Sequence, residues 1–290
     1  MIPDQPAKEQ ILAEKEKIEN AETPKIEKNE IVKEISRDQA LEESERILFE
    51  NENIKGSISL TGGQIDDLEF KKFKKVQDGE ENVVLLNPRK NKNGYYVETG
   101  WAISNKNIDV PNSKSVWTSE GNKKLTPNTP IKLIWLNDQN IKFEKEISID
   151  DKYLFTVKQT IKNKTEKIYN FYPYGQIIRN EIPEITNFFI LHEGPLGVFA
   201  TPDGNTDLIE KDYDDIQDKS FSINADAGFL GITDKFWITT IIPQKNSKFK
   251  ANFDFKNKFL TNFIETEATE VGANETKSNE IKILLAAKEV

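Results

Sequence analysis

The residues of this sequence that could do chemistry are a single histidine and several groups of carboxylates. His192 is the only histidine, which excludes a two-histidine metal site and a histidine acid–base pair. A Ser-His-Asp triad needs just one histidine, but no Gly-x-Ser-x-Gly elbow is present to supply a serine nucleophile. We therefore expect His192 to be a structural residue at a strand end, dispensable for function.

The carboxylates follow no catalytic or metal-binding pattern. Asp66 and Asp67 come shortly after two glycines, and we expect them to cap or turn the backbone. Four aspartates lie between residues 212 and 218, namely Asp212, Asp214, Asp215 and Asp218. They raise the possibility of calcium, but the segment lacks the sixth-position glycine and closing glutamate of an EF-hand. A solvated acidic loop is the better interpretation.

Other site classes are excluded by composition or lack a motif. The chain has no cysteine, so disulfides and thiolate metal sites are impossible. There is no phosphate-binding glycine loop, and residues 194–197 (GPLG) are expected to form a turn between strands. We assign no catalytic, cofactor-binding or metal-binding residue, expect no cofactor, and leave the residues of any binding surface unassigned.

Aromatic residues leave two interpretations open. The chain has 17 phenylalanines and four tryptophans, which are Trp101, Trp117, Trp135 and Trp237. Such residues usually pack in a core, and we favour that role. An exposed aromatic platform for carbohydrate binding is the alternative.

The elements that must carry these residues are strands. Apolar residues alternate with polar ones in several segments, for example at Ile141, Phe143, Ile147 and Ile149, then at Tyr153, Phe155, Val157 and Ile161, and again at residues 249–255. A period of two means one buried and one wet face. With turn signals about every ten residues and few helical patterns, this predicts an all-β, antiparallel sandwich. Phe143, Phe155, Val157 and Phe253 are expected core positions.

Composition divides the chain near residue 50. Residues 1–50 hold 14 acidic and 8 basic residues and a single aromatic residue, Phe49. Such a segment buries too little apolar surface to order itself, so we expect a disordered tether with a short, marginal helix within residues 38–49. Deletion of residues 1–50 is expected to be tolerated. Residues 51–290 are expected to form one continuous sandwich. Its last strand, residues 281–287, should be paired within a sheet.

Charge and hydropathy exclude two classes of partner contact. The net charge of −9 argues against a nucleic-acid partner bound by phosphate neutralisation. No run of about 20 apolar residues is present to span a bilayer, and the first residues lack the basic start and apolar region of a signal peptide. The chain is therefore expected to be a soluble piece, which leaves open that it was cut from a membrane protein.

Several segments in order resemble one family. Residues 53–68 read NIKGSISLTGGQIDDL, and residues 84–88 and 95–101 read VLLNP and YYVETGW. Residues 228–237 read GFLGITDKFW, followed by IIP at 241–243 and LAAKEV at 285–290. Together they resemble the periplasmic domain of the YidC family of membrane-protein insertases. Phe229 and Phe236 stand where that family often has tryptophan and tyrosine, which keeps the aromatic bulk.

The resemblance implies a fold, a location and partners. It implies a β-supersandwich of the galactose-mutarotase-like kind, attached to the periplasmic face of the inner membrane through flanking helices that are absent here. The function implied is non-catalytic support of membrane-protein insertion. The implied partners are Sec translocon components and nascent membrane proteins, and we expect a monomer. Insertion chemistry in this family lies in later membrane helices.

Two other functions are the alternatives. A sugar mutarotase, suggested by fold analogy alone, would need histidine and carboxylate acid–base pairs, which a chain with one histidine does not supply. A periplasmic carbohydrate- or peptide-binding β-sandwich module is the stronger alternative, and an exposed aromatic platform would distinguish it.

Overall fold

The computed structural model describes residues 34–104, 108–183 and 192–288. These residues form two short helices, α1 (Arg37–Glu42) and α2 (Tyr213–Asp218). The strands are β1 (Arg46–Glu50), β2 (Ile54–Ser59), β3 (Gln64–Lys74), β4 (Asn82–Leu86), β5 (Tyr95–Ile103), β6 (Thr118–Glu120), β7 (Lys124–Leu125), β8 (Ile131–Leu136), β9 (Ile141–Ile149), β10 (Leu154–Asn163), β11 (Tyr169–Arg179), β12 (Gly194–Ala200), β13 (Thr206–Glu210), β14 (Phe221–Ala225), β15 (Ala227–Thr233), β16 (Trp237–Ile242), β17 (Phe249–Phe255), β18 (Phe259–Glu265), β19 (Thr269–Val271) and β20 (Thr276–Ala287).

The strands form two sheets. Sheet A has 11 strands, of which nine run in the order β14-β17-β18-β11-β5-β3-β2-β1-β7, with β19 beside β11 and β4 beside β3. Sheet B has nine strands in the order β13-β12-β15-β16-β20-β10-β9-β8-β6. Neighbouring strands are antiparallel except β1 and β7. The expected all-β antiparallel fold is confirmed. Among the described residues, no helix is long and apolar enough to cross a membrane.

The core lies between the sheets and is built from the alternating positions. The four expected core residues Phe143, Phe155, Val157 and Phe253 are each at most 2% exposed, as the period of two predicted. Phe155 of β10 meets Phe49 of β1 edge to face, with ring centroids 5.1 Å apart. Aromatic pairs of this geometry bridge sheet B and sheet A and hold them at a fixed distance.

The expected boundary at residue 50 needs correction, because part of the supposed tether is folded. Strand β1 pairs with β2 from Arg46 to Glu50, and its Ile47 and Phe49 are buried in the core. Helix α1 precedes it and begins with a capping box in which Ser36 and Gln39 satisfy each other's backbone N–H groups. Deleting residues 1–50 would therefore remove a sheet strand. Residues 1–33 of the expected tether lie outside the described residues.

The last strand is paired within a sheet, as expected, but it is central. Strand β20 lies between β10 and β16 and pairs with both. Residues 194–197 are also placed differently from the prediction: they open β12 and do not form a turn. Their glycines suggested a turn, but Gly197 lies in a strand where a Cβ atom would meet the Phe199 ring at 2.3 Å.

A row of polar side chains crosses the core-facing side of sheet B. Lys145, Gln159 and Asn279 are successive cross-strand neighbours on β9, β10 and β20. Asn279 Nδ2 donates a hydrogen bond of 2.8 Å to Glu265 Oε1 on the facing sheet. Burial raises the pKa of Glu265 to about 7, because the interior disfavours the charged carboxylate.

The aromatic bridge between the sheets gives a stability prediction. Replacing Phe155 with alanine should lower the free energy of unfolding by about 3–5 kcal/mol, since it leaves a cavity beside Phe49. Urea denaturation followed by tryptophan fluorescence measures the loss. Leu48→Ala, at a site 60% exposed, is the control and should change stability by less than about 0.5 kcal/mol. Equal effects of the two substitutions would contradict this packing.

Glu265 gives a pH prediction with a definite sign. Its folded pKa of about 7 lies above the ordinary 4.5, so the folded state binds the extra proton. The domain should therefore lose stability as pH rises from about 4.5 to 7, by on the order of 3 kcal/mol. Glu265→Gln should remove that part of the decline, whereas exposed Glu267→Gln should not. Urea midpoints at pH 5 and pH 8 measure the difference, and parallel profiles for the two variants would refute the assignment.

Candidate functional site

A cleft of about 510 Å³ opens on the outer face of sheet A. Arg46, Ser59 and Gln64 line it and alternate with core residues of β1, β2 and β3, so they point away from the core. The other lining residues come from α1, from β3 and from nearby loops; they are Ala40, Glu43, Ser44, Thr61, Asp66, Pro88, Arg89, Lys90, Ser113 and Lys114. Apart from Ala40 and Pro88, all the residues that line the cleft are polar.

An irregularity in β3 places two successive carboxylates, Asp66 and Asp67, near the outer face, and Asp66 lines the cleft. The β2–β3 register shifts between Ser57 and Ile58, which pair with Asp67 and Ile65 respectively. Asp66 is thus the extra residue of a β-bulge, and both aspartates lie near the outer face. The prediction that they cap a turn is wrong, because Gly62 and Gly63, with φ of 77° and 62°, form the turn.

Each of the two carboxylates has an arginine partner. Arg46 pairs with Asp66 and also donates from Nε to Ser57 Oγ at 2.7 Å. Arg37 of α1 pairs with Asp67, which accepts a second bond of 2.6 Å from Ser57 Oγ. Burial raises the pKa of Asp66 to about 6, and the Arg46 charge opposes that rise. The double ion pair clasps α1 and β1 onto the bulge.

Behind the cleft, a buried carboxylate joins three strands. Glu98 of β5 accepts a hydrogen bond from Gln64 of β3 and one of 2.5 Å from Gln176 Nε2 of β11. Burial raises the pKa of Glu98. Strands β3 and β5 share a single backbone pair, Ile65 with Val97. The Gln64–Glu98 bond therefore crosses the least paired seam of sheet A.

The same seam is bridged from inside the sandwich by Lys145 of sheet B. Its Nζ donates to the carbonyl oxygen of Thr99 at 2.8 Å and to that of Gly63 at 3.4 Å, one on each side of the seam. The ammonium group also lies 5.0 Å from the ring centroid of Trp117, a favourable cation–π distance. Burial lowers the pKa of Lys145 to about 8, and the nearby Glu98 carboxylate opposes the shift.

His192 does not line the cleft and lies two residues before the start of β12. Its Nδ1 is 3.2 Å from Asp212 Oδ1, and its Nε2 is 3.2 Å from the Pro195 carbonyl oxygen. Both neighbours are hydrogen-bond acceptors, so a neutral imidazole, which has one N–H group, can donate to only one of them at a time. The acidic segment from Asp212 is not a loop but the cap and body of α2. No group of three or more potential metal ligands occurs within residues 34–104, 108–183 and 192–288.

The segment GFLGITDKFW is structural as well. Asp234 accepts hydrogen bonds of 2.8 and 2.9 Å from Arg179 Nη1 of β11 and one of 3.1 Å from the Tyr213 hydroxyl of α2. Asp234 therefore connects sheet B to sheet A and to α2. Trp237 stacks on Phe70 with centroids 4.7 Å apart.

The arrangement can hold elements together more readily than it can transform a substrate. Sequence reasoning did not single out Arg46, Glu98 or Lys145, because an isolated charge in a strand has no local signature of its partner. One signal was available for Lys145: it occupies an inward position of the β9 alternation. Asp66, Asp67 and Glu98 are bound to arginine, serine or glutamine partners, which is the pattern of a structural clasp.

The Arg46–Asp66 pair gives a stability prediction. Arg46→Ala should destabilise the domain by about 3–5 kcal/mol, because it leaves the Asp66 carboxylate buried without its charge partner. The double variant Arg46→Met with Asp66→Leu should recover much of that loss. Thermal and urea unfolding measure both. Lys75→Ala, which breaks an exposed pair with Glu81, should cost less than about 1 kcal/mol. Strictly additive losses in the double variant would show that the pair is not coupled.

The sequence of the chain matches one protein family. Residues 46–290 match the model of the YidC periplasmic domain. The membrane protein insertase YidC of Pelagibacter ubique is 53% identical over 280 residues, covering 96% of this chain and 49% of that protein. The corresponding protein of Mesorhizobium japonicum is 34% identical over 88% of this chain and 42% of its own length. The chain spans about half the length, or less, of these relatives.

Solved structures share the fold at much lower identity. A galactose mutarotase-like protein from Lactobacillus casei has a TM-score of 0.57 at 9% identity, covering 83% of this chain and all of its own. A galactose mutarotase related enzyme from Lactobacillus acidophilus has a TM-score of 0.56 at 8% identity, covering 83% and 97%. These likenesses confirm the expected galactose-mutarotase-like sandwich and concern the fold alone. The family match, in contrast, extends over nearly all of the described sandwich, and the chain belongs to the YidC periplasmic domain family.

Proposed function

We propose that this chain is the non-catalytic periplasmic domain of a YidC-type insertase of the inner membrane. It supports insertion and folding of membrane proteins through contacts with Sec translocon components or with emerging substrates. The observation that carries the proposal is the family match over residues 46–290, together with relatives named membrane protein insertase.

The polar groups of the domain support a role without covalent chemistry. Asp66, Asp67 and Glu98 are bound to side-chain partners within the fold, and each ring nitrogen of His192 lies 3.2 Å from an oxygen atom of the protein. General acid–base catalysis needs a group free to exchange a proton with a substrate. In the described residues, the carboxylates that could serve as acid–base groups are hydrogen-bonded or ion-paired to side chains of other elements.

The length of the relatives bears on which part of such a protein carries the proposed activity. Because the chain spans about half of them or less, the proposed insertion activity needs the rest of such a protein, including membrane helices that flank this domain. In that arrangement the domain lies on the periplasmic face of the inner membrane, as a monomer.

A carbohydrate-binding module is less well supported. Trp101 and Trp117 are buried at 3% and 2% exposure, and Trp135 and Trp237 pack against the core. The tryptophans therefore do not form the exposed platform that sugar stacking requires.

The test uses the full-length insertase that contains this domain. His192→Ala and Asp212→Asn remove the one histidine–carboxylate contact among the described residues. We expect both variants to insert a model membrane protein in cells within about twofold of the unsubstituted protein at equal abundance. Photo-crosslinkers on the outer faces of the domain should label translocon subunits or nascent chains.

Two results would contradict the proposal. One is a severe insertion defect of either variant at normal protein level, which would indicate chemistry at His192. The other is the absence of any crosslink from the domain to an insertion partner during active insertion. Glu146→Gln, an exposed change on β9, is the matched control.

A further inference from the structure

A second concavity, the edge groove, lies where β16 ends beside β20. It has a volume of about 540 Å³, and its lining includes the half-buried Ile242 and the buried Pro243 and Phe249. Lys245 and Lys282 also line it. None of these residues takes part in the clasp at the cleft of sheet A.

The groove adjoins a strand edge that has no backbone partner in the described structure. Strand β20 pairs with β10 from Thr276 to Leu284, but with β16 only from Lys282 onward. Residues 276–281 are therefore paired on one side only. They are largely exposed, contain no proline, and keep an unbroken register with β10. Another strand can pair there once the Gln244 side chain releases the N–H group of Glu280.

One hydrogen bond shows which way the free backbone groups point. The N–H group of Glu280 donates to the side-chain oxygen of Gln244 at 3.0 Å, on the side of β20 that faces away from β10. Backbone groups of alternate residues in an antiparallel strand point the same way. Those of Ser278 and Thr276 therefore point to that side too. The Gln244 amide occupies the place that a neighbouring strand's carbonyl would take.

Charge at the groove differs from that of the whole chain. Lys245 and Lys282 are exposed and form no ion pair within the described residues, whereas Glu280 is the single acidic residue of the lining. The lining is thus net positive in a chain of net charge −9. Complementary charge selects an anionic partner at such a surface.

We propose that the edge groove binds an extended segment of a partner protein as an added strand. The segment pairs with residues 276–281 of β20 and continues the line of β16. Aliphatic side chains on one of its faces cover the half-buried Ile242, and a carboxylate lies between Lys245 and Lys282. Main-chain bonds supply affinity in this mode, and the alternate side chains supply selectivity.

This inference rests on the proposed function and names the chemistry of the partner segment. Loops of membrane proteins that stay in the cytoplasm are enriched in lysine and arginine, and translocated segments are poor in them. A periplasmic binding edge with an apolar floor and two free ammonium groups suits segments that are aliphatic and neutral or acidic. It disfavours basic ones by charge repulsion.

Peptide binding to this chain tests the inference. The probe is a fluorescein-labelled heptapeptide of alternating valine and threonine with one central glutamate, followed by fluorescence anisotropy. We expect saturable binding that weakens about tenfold or more in the double variant Lys245→Glu with Lys282→Glu. The matched control, Lys123→Glu with Lys219→Glu, changes the net charge equally at exposed sites outside the groove, and should bind within about twofold of the original chain.

Two altered peptides isolate the two interactions. A peptide N-methylated at alternate amides cannot donate to β20 and should lose binding. A peptide with lysine for the central glutamate should bind weakly to the original chain and better to the Lys245→Glu, Lys282→Glu variant. Absence of saturable binding, equal binding of the N-methylated peptide, or equal effects of the two double variants would each overturn the inference.

Crosslinking in the full-length insertase separates this inference from the proposed function. A photo-crosslinker at Gln244 should label translocated segments during insertion. Labelling from other faces of the domain, but not from Gln244, would refute the edge groove and leave the proposed function standing. Absence of labelling from every face would refute the proposed function itself.

Discussion

The integrity of sheet A depends on how the chain closes the seam between β3 and β5. A single backbone pair joins the two strands, so the usual ladder cannot hold them. Lys145 compensates from the opposite sheet by donating to a carbonyl oxygen on each side of the seam. Gln64 and Glu98 compensate on the outer face. A buried ammonium group is costly, and its lowered pKa records that cost, but here it joins both sheets at the weakest point of one.

The same logic explains why so many charged groups are buried in a domain with little sign of chemistry. The bulge at Asp66 and Asp67 interrupts the β2–β3 ladder, and two arginines from the preceding helix and strand occupy the place thus created. At the other end of the sheets, Asp234 receives Arg179 and Tyr213. In each case an irregular backbone position is matched by a long side chain from another element. Buried polar groups that are hydrogen-bonded to one another favour one specific arrangement over alternatives.

The alternation of apolar residues predicted the sandwich, and the family segments predicted its kind. The core residues could be predicted from the period of two, because this alternation is a local property of each strand. The polar interior was harder to predict, although the gaps in the pattern marked it: the apolar series of β9 skips Lys145, and that of β10 skips Gln159. The hydrogen-bond partners of these two residues lie far along the chain, and the period of two within one strand does not identify them. The start of the folded domain was predicted at residue 51, after β1, for a related reason. Arg46 and Glu50 are the first and last residues of β1, and the acidic composition of residues 1–50 concealed the three-residue apolar run between them.

Strand β20 gives the domain a preferred direction of resistance to force. Its hydrogen bonds to β10 and β16 run across the strand, so tension along the strand from its Ala287 end loads these bonds in shear. Bonds in shear must break together, whereas a strand peeled from a sheet edge, such as β13, loses them one at a time. Unfolding under force is governed by the height of the barrier and not by equilibrium stability. A domain pulled at this end would transmit the load through the middle of sheet B before it yielded.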